Sequence, residues 1–136
     1  MLRYERRTHA PPDTVWGLIA RPGRWATWAP HLRGADGLGD PEVAMGARGA
    51  VRLLGVVPIP ARITAKRRGS LWSWRVGPVT VRHRVSAVAG GGSLVAMELE
   101  SPLEPALKVT YGPIVALLLR NLVRVAESDV SSRAAR

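Results

Sequence analysis

His83 is the side chain whose type and setting are best suited to chemistry. Along Val79–Val88 the residues alternate, with Val81, His83, Val85 and Ala87 on one face and Arg82, Arg84 and Ser86 on the other. A neutral imidazole among apolar neighbours can bond a ligand's carbonyl or hydroxyl, or serve as general base for an enolisation or dehydration. The plainer alternative is a core histidine bonded to backbone or buried water. Trp28, Trp72 and Trp74 offer flat amphipathic rings that suit a polycyclic ligand, although they can equally fill a solid core. Trp16 and Trp25 are assigned to packing short helices, and Tyr111 could give a second hydrogen bond at a cavity mouth. No carboxylate shares the face of His83, so nothing orients it as in a catalytic triad. Glu98 and Glu100 fall on the opposite face, as ion-pair partners. His9 and His31 stand apart in sequence, no spacing suggests a metal site, and no cofactor is expected.

These residues need elements to hold them. From Pro113 the chain reads PIVALLLRNLVRVAE, too apolar for an ordinary surface helix and too short in its apolar run for a bilayer, which takes ~20 residues. At helical spacing Tyr111, Val115, Leu118 and Leu122 form one stripe, while Arg120, Asn121, Arg124 and Glu127 gather opposite. Such a stripe must lie against something, and almost everything earlier alternates as strand. A first strand spans Leu2–His9, with Arg6 on its inner face, where it must reach the rim or meet a ligand's acid group. Ala10-Pro11-Pro12-Asp13 opens a short helix, Arg24 to Trp28 makes a second helical turn, and Gly34 to Gly46 holds a short edge strand and a loop.

Turn chemistry sets the register of the remaining strands. A two-residue turn at Gly77-Pro78 places Trp74 opposite Val81 and Trp72 opposite His83. A three-residue loop at Gly90-Gly91-Gly92 places His83 opposite Leu99 and Val85 opposite Met97, with Arg84 against Glu98 and Arg82 against Glu100 outside. A turn at Arg68-Gly69 places Ile63 by Trp74 and Ala65 by Trp72. Pro58 and Pro60 suggest an edge or bulge. Ser101 and Glu104 have capping-box spacing, and Gly112-Pro113 implies a kinked or restarted helix. The expected fold is α+β: a curved antiparallel sheet of six to seven strands wrapped around one long C-terminal helix, with two short helices after the first strand. The domain is expected to span residues 1–128, with 129–136 a flexible tail.

Composition narrows the partners. With 136 residues there is one domain and room for a core; with no cysteine there are no disulfides or thiolate metal sites. The N-terminus has no apolar leader, so a cytoplasmic location is expected. The net charge of +10 comes almost wholly from arginine. Arg48, Arg52, Arg62, Lys66, Arg75, Arg82 and Arg84 all project from the convex face, without interleaved aromatics for stacking bases. A solvated basic face is favoured over nucleic-acid binding and over binding to another anionic partner or a membrane surface. The oligomeric state stays open.

Several segments carry a resemblance. Ala10-Pro11-Pro12-Asp13-Thr14-Val15-Trp16 resembles the entry to the first helix of the START-like, or SRPBCC, superfamily. Arg24-Trp25-Ala26-Thr27-Trp28-Ala29-Pro30 resembles its tryptophan-rich segment, and Leu71-Trp72-Ser73-Trp74, Arg82-His83-Arg84-Val85 and Gly91-Gly92-Ser93-Leu94-Val95 its central hairpins. The branch it most resembles is the polyketide cyclase/dehydrase-type bacterial members, although phenylalanine is absent. The resemblance implies a helix-grip fold with a deep apolar cavity for lipids, polyketides or similar molecules. On that reading Trp28, Trp72, Trp74, Val81, Met97, Leu99, Tyr111, Val115, Leu118 and Leu122 supply apolar contact and His83 a polar anchor. The alternative is a cyclase, dehydratase or aromatase with His83 as base and Tyr111 as donor.

Overall fold

A computed structural model describes residues 1–53 and 57–134. β1 (Leu2–Thr8) is followed by α1 (Pro12–Ile19) and a 3₁₀ helix (Pro22–Thr27). Six strands come next: β2 (Leu32–Asp36), β3 (Arg48–Leu53), β4 (Val57–Arg67), β5 (Leu71–Val76), β6 (Val79–Ala87) and β7 (Ser93–Glu100). α2 (Glu104–Thr110) and α3 (Gly112–Ala134) close the chain. The seven strands form one antiparallel curved sheet in the order β1-β7-β6-β5-β4-β3-β2, so the first strand pairs with the last. α3 packs on β1 and α1, its Val115, Leu118, Leu119, Leu122, Val123 and Ala126 buried. This is the expected helix-grip arrangement. The helix restarts where Gly112-Pro113 implied, and Gly112 is buried against the Tyr4 ring, where a larger residue would collide.

The far end of α3 is fastened by polar groups. Glu127 Oε2 accepts from Thr8 Oγ1 at 2.9 Å and from the His9 backbone N–H at 3.0 Å, tying the end of β1 to the helix. The His9 bond, followed by Thr8, holds the Glu127 carboxyl below its ordinary pKa, against the opposing effect of burial. Arg24 in the 3₁₀ helix pairs with Asp129 at 2.9 Å. The helix therefore does not stop at Ser128. It runs to Ala134, with Val130 packed against the core, and the expected tail of 129–136 begins as helix; residues 135 and 136 lie outside the described part.

The Gly77-Pro78 turn behaves as read: Val76 pairs with Val79, Trp74 with Val81 and Trp72 with His83, with Gly77 at φ +58. The glycine loop does not. The ladder ends at Ala87 opposite Ser93, leaving a five-residue loop, because Gly90, Gly91 and Gly92 all turn through positive φ and need room to reverse the chain. His83 therefore faces Met97 and Val85 faces Val95, while Leu99 lies opposite Val81. The slip is two residues, so every side chain keeps its face. The outer ion pairs survive as diagonals, Arg84–Glu98 at 2.7 Å and Arg82–Glu100 at 3.0 Å. Ile63 faces Trp74 as expected, but a bulge at Thr64, whose hydroxyl bonds Ser73 at 2.7 Å, puts Ser73 opposite Ala65 and Lys66 opposite Trp72. Pro58 and Pro60 lie within β4 opposite β3, but beyond the end of β5, where β4 has a free edge. The connection between β3 and β4 falls on undescribed residues.

Glu98 carries more than its exposed position on a strand face suggested. It is buried under two guanidinium groups, accepting from Arg3 at 2.6 Å and Arg84 at 2.7 Å, so that β1 and β6 are clamped across β7. The Arg84 bond above all, opposed by burial and then aided by Arg3, holds its pKa down. Both arginines are nearly half exposed, which weakens each pair by screening. Glu98→Ala should lower the unfolding free energy by about 1–2 kcal/mol, read from a urea midpoint at neutral pH. An unchanged midpoint would show that water replaces the clamp at no cost.

Candidate functional site

The site begins at the end of α1. The last carbonyls of a helix lack intrahelical donors, and here two indoles supply them: Trp25 Nε1 donates to the Ile19 carbonyl at 2.8 Å and Trp28 Nε1 to the Leu18 carbonyl at 3.0 Å. Three residues apart, Trp25 within the 3₁₀ helix and Trp28 at its C-cap, both rings are thereby turned inward over the sheet. Trp25 stacks on Trp72 with centroids 5.4 Å apart and planes 9° from parallel. Trp72 in turn stacks on His83 at 3.9 Å and 8°. Trp74 stands edge-on to all three, at 5.1, 5.3 and 5.8 Å. The wall is thus a three-ring stack with a fourth ring across its edge. Both faces of Trp72 are used within the protein, so it cannot stack on a ligand as expected.

Beside this wall lies a cavity of about 210 Å³, between the concave sheet face and the start of α3. Of the residues expected to contact a ligand, Trp28, Trp72, Trp74, Val81, Met97, Leu99, Tyr111, Val115 and Leu118 line it, together with His83. Leu122 does not: it is fully buried one turn further along α3, in solid core. Trp25, His31, Leu32, Val51, Val76 and Val79 also line the cavity. Trp25 was assigned to helix packing alone, yet its spacing from Trp28 already placed the two rings on one side of a short helix. His31 carried no pattern at all; it lies in the turn between the 3₁₀ helix and β2, and from there lines the cavity.

No group lining this cavity is charged at neutral pH. His83 Nδ1 lies 3.4 Å from the Trp72 carbonyl oxygen, and since a carbonyl only accepts, Nδ1 carries the proton and Nε2 is left as an acceptor. Burial drives the His83 pKa down from its ordinary 6.5 to about 3, against a smaller upward pull from the Trp72 carbonyl. Burial also lowers His31 and raises the Tyr111 phenol. The Trp72 indole N–H is buried without a partner among the described residues. The arrangement offers apolar wall, one imidazole acceptor and one phenol, and it penalises any ligand that brings an uncompensated charge.

A family model described as "Polyketide cyclase / dehydrase and lipid transport" matches residues 2–127. Among solved structures, a protein of Mesorhizobium loti superposes with a TM-score of 0.76 at 14% identity, covering 93% of this chain and 96% of that one. DynU16, from the dynemicin biosynthetic locus, superposes at 0.72 with 21% identity, covering 94% of this chain but 47% of its own. A conserved Enterococcus faecalis protein of unknown function gives 0.70 at 17% identity, covering 90% of this chain and 68% of that one. At these identities the likeness is one of fold. No curated protein sequence matches the chain.

Proposed function

The chain belongs to the polyketide cyclase / dehydrase and lipid transport family, and on that premise we propose that its cavity binds a compact, uncharged, ring-bearing small molecule without transforming it. The observation that carries this reading is the cavity itself, about 210 Å³ of apolar wall whose polar groups are all neutral. That is smaller than the ~300–1,000 Å³ of pockets for drug-sized ligands, and larger than the ~150 Å³ that accommodates benzene. One or two fused rings fit inside; a longer lipid chain or a larger polycycle must project through the mouth. A hydroxyl or N–H on the ligand would donate to His83 Nε2.

The cyclase or dehydratase reading asks His83 to take a proton. A general base works best with a pKa near the operating pH, and a pKa of about 3 is far below it. An imidazolium formed here would be buried with no carboxylate lining the cavity to receive it. Binding is therefore favoured over catalysis.

Calorimetric titration with 1-naphthol, 1-methoxynaphthalene and 1-naphthoate tests the proposal. Naphthol should bind saturably, and the methyl ether about 2- to 10-fold more weakly, the worth of one hydrogen bond. His83→Leu should erase that difference, and naphthoate should not bind. Equal affinity for naphthol and naphthoate, or no binding by any of the three, would overturn it.

A further inference from the structure

Three convex-face cations that the sequence singled out are matched with acids, Arg52 with Asp36, Arg82 with Glu100 and Arg84 with Glu98, whereas Lys66, expected on that face, is turned by the Thr64 bulge to the face of Trp72 and pairs with Glu42. Arg48, Arg62 and Arg75 of that face have no acid partner among the described residues, and unmatched charge also gathers in a second place. Arg6 of β1 and Arg120 and Arg124 of α3 line one groove together with Glu127, Ser128 and Ser131. Neither Arg6 nor Arg120 has an ion-pair partner among the described residues. Glu127 is the carboxylate in the groove, and its Oε2 is already taken by Thr8 and His9.

The same outward stripe of α3 carries apolar side chains one turn earlier. Ile114, Leu117, Arg120 and Arg124 recur at helical spacing, so the groove's cations continue the line of exposed Ile114 and Leu117. On α2, Val109 is 77% exposed and Leu103, just before it, is exposed as well. Leucines and valines set in water beside unpaired arginines form the pattern of a helix that lies in a bilayer interface, apolar side chains among the acyl chains and cations at the headgroups. The chain's net charge of +10 favours an anionic surface. No helix among the described residues is long and apolar enough to cross a membrane, so contact would be peripheral.

We propose that the α2–α3 corner docks on an anionic lipid bilayer, with Val109, Ile114 and Leu117 entering the interface and Arg6, Arg120 and Arg124 holding lipid phosphates. The inference does not depend on what the cavity binds.

Co-sedimentation with vesicles tests it, comparing phosphatidylcholine mixed with phosphatidylglycerol against phosphatidylcholine alone. The protein should bind the mixed vesicles, more weakly as salt rises, and leave pure phosphatidylcholine in the supernatant. The double variant Arg120→Ala/Arg124→Ala should lose about 30-fold in partitioning, and Leu117→Ser should also bind less. All three substitutions lie on exposed positions, and circular dichroism verifies that each variant is folded. Binding to neither vesicle, equal binding to both, or anionic binding untouched by either variant would overturn the proposal. So would inorganic phosphate shifting the Arg6 and Arg120 resonances of the free protein while vesicles leave it unbound, which would assign the groove to a free anion. Capture of single-stranded RNA in place of vesicles through the same arginines would overturn it too.

Discussion

Between about pH 5.5 and pH 4 the folded protein is expected to lose about 1.4 kcal/mol of stability per pH unit through His83 alone. The imidazole is buried against Trp72, with its pKa depressed from 6.5 to about 3. Above 6.5 it is neutral whether the chain is folded or unfolded, and its whole contribution is present. Below 6.5 the unfolded chain takes up a proton that the folded protein refuses, so stability drains away until the pH reaches about 3. Over that window the loss sums to roughly 4–5 kcal/mol, a large share of the ~5–15 kcal/mol typical of a domain. His31, also lowered by burial, adds to it. Glu98, Glu127 and Glu42 have lowered pKa values and so destabilise in the same direction, but only toward the acid end of the range. Urea unfolding at pH 7, 6 and 5 separates the contributions. His83→Gln should flatten the dependence by about 1.4 kcal/mol per unit below pH 6, whatever the substitution costs at pH 7. Parallel curves for the two proteins would mean that the imidazole reaches water.

The second large effect belongs to Trp72. It is 1% exposed and covered on one face by Trp25 and on the other by His83. Trp72→Ala should destabilise by about 3–5 kcal/mol, the transfer of the ring plus the void it leaves. The loss should not be confined to one strand, because the ring links the 3₁₀ helix to β5 and β6. Its removal also admits water to His83, so the variant should show a shallower acid slope than the parent. The two substitutions should therefore couple non-additively in a double-mutant cycle. Trp72→Phe, which keeps a stacking ring and removes an indole N–H that has no partner, should cost much less. A loss below about 1 kcal/mol for the alanine variant would mean that the stack can be rebuilt around a hole.

What could be read from sequence follows from which forces are local. Strand parity was legible because alternation and turn position fix the face on which a residue lies, and His83 points inward even though its partner is Met97 and not Leu99. The identity of the partner was not legible, since it depends on how many residues three left-handed glycines need to reverse the chain. The Thr64 bulge escaped for a related reason: a side-chain bond to Ser73 stabilises the extra residue, and no local pattern announces it. Trp25 does pack the short helices as read, but its place in the cavity wall was not legible, because the stack on Trp72 is a tertiary choice that its own helix does not specify. The extent of α3 beyond Ser128 is set by Asp129 and Val130 finding partners far away in the chain.

The ring stack also bears on how molecules get in and out. A strand of the sheet cannot part from its neighbour without breaking ladder hydrogen bonds, and Trp72 cannot swing aside without unstacking on two faces at once. α2 is different, a short exposed helix packed chiefly against α3 and ending beside Tyr111 at the cavity's edge. If the cavity takes the ligand proposed above, the way in is past α2, and exchange should keep time with the swinging of one helix on its neighbour, a slower clock than the flipping of any single side chain.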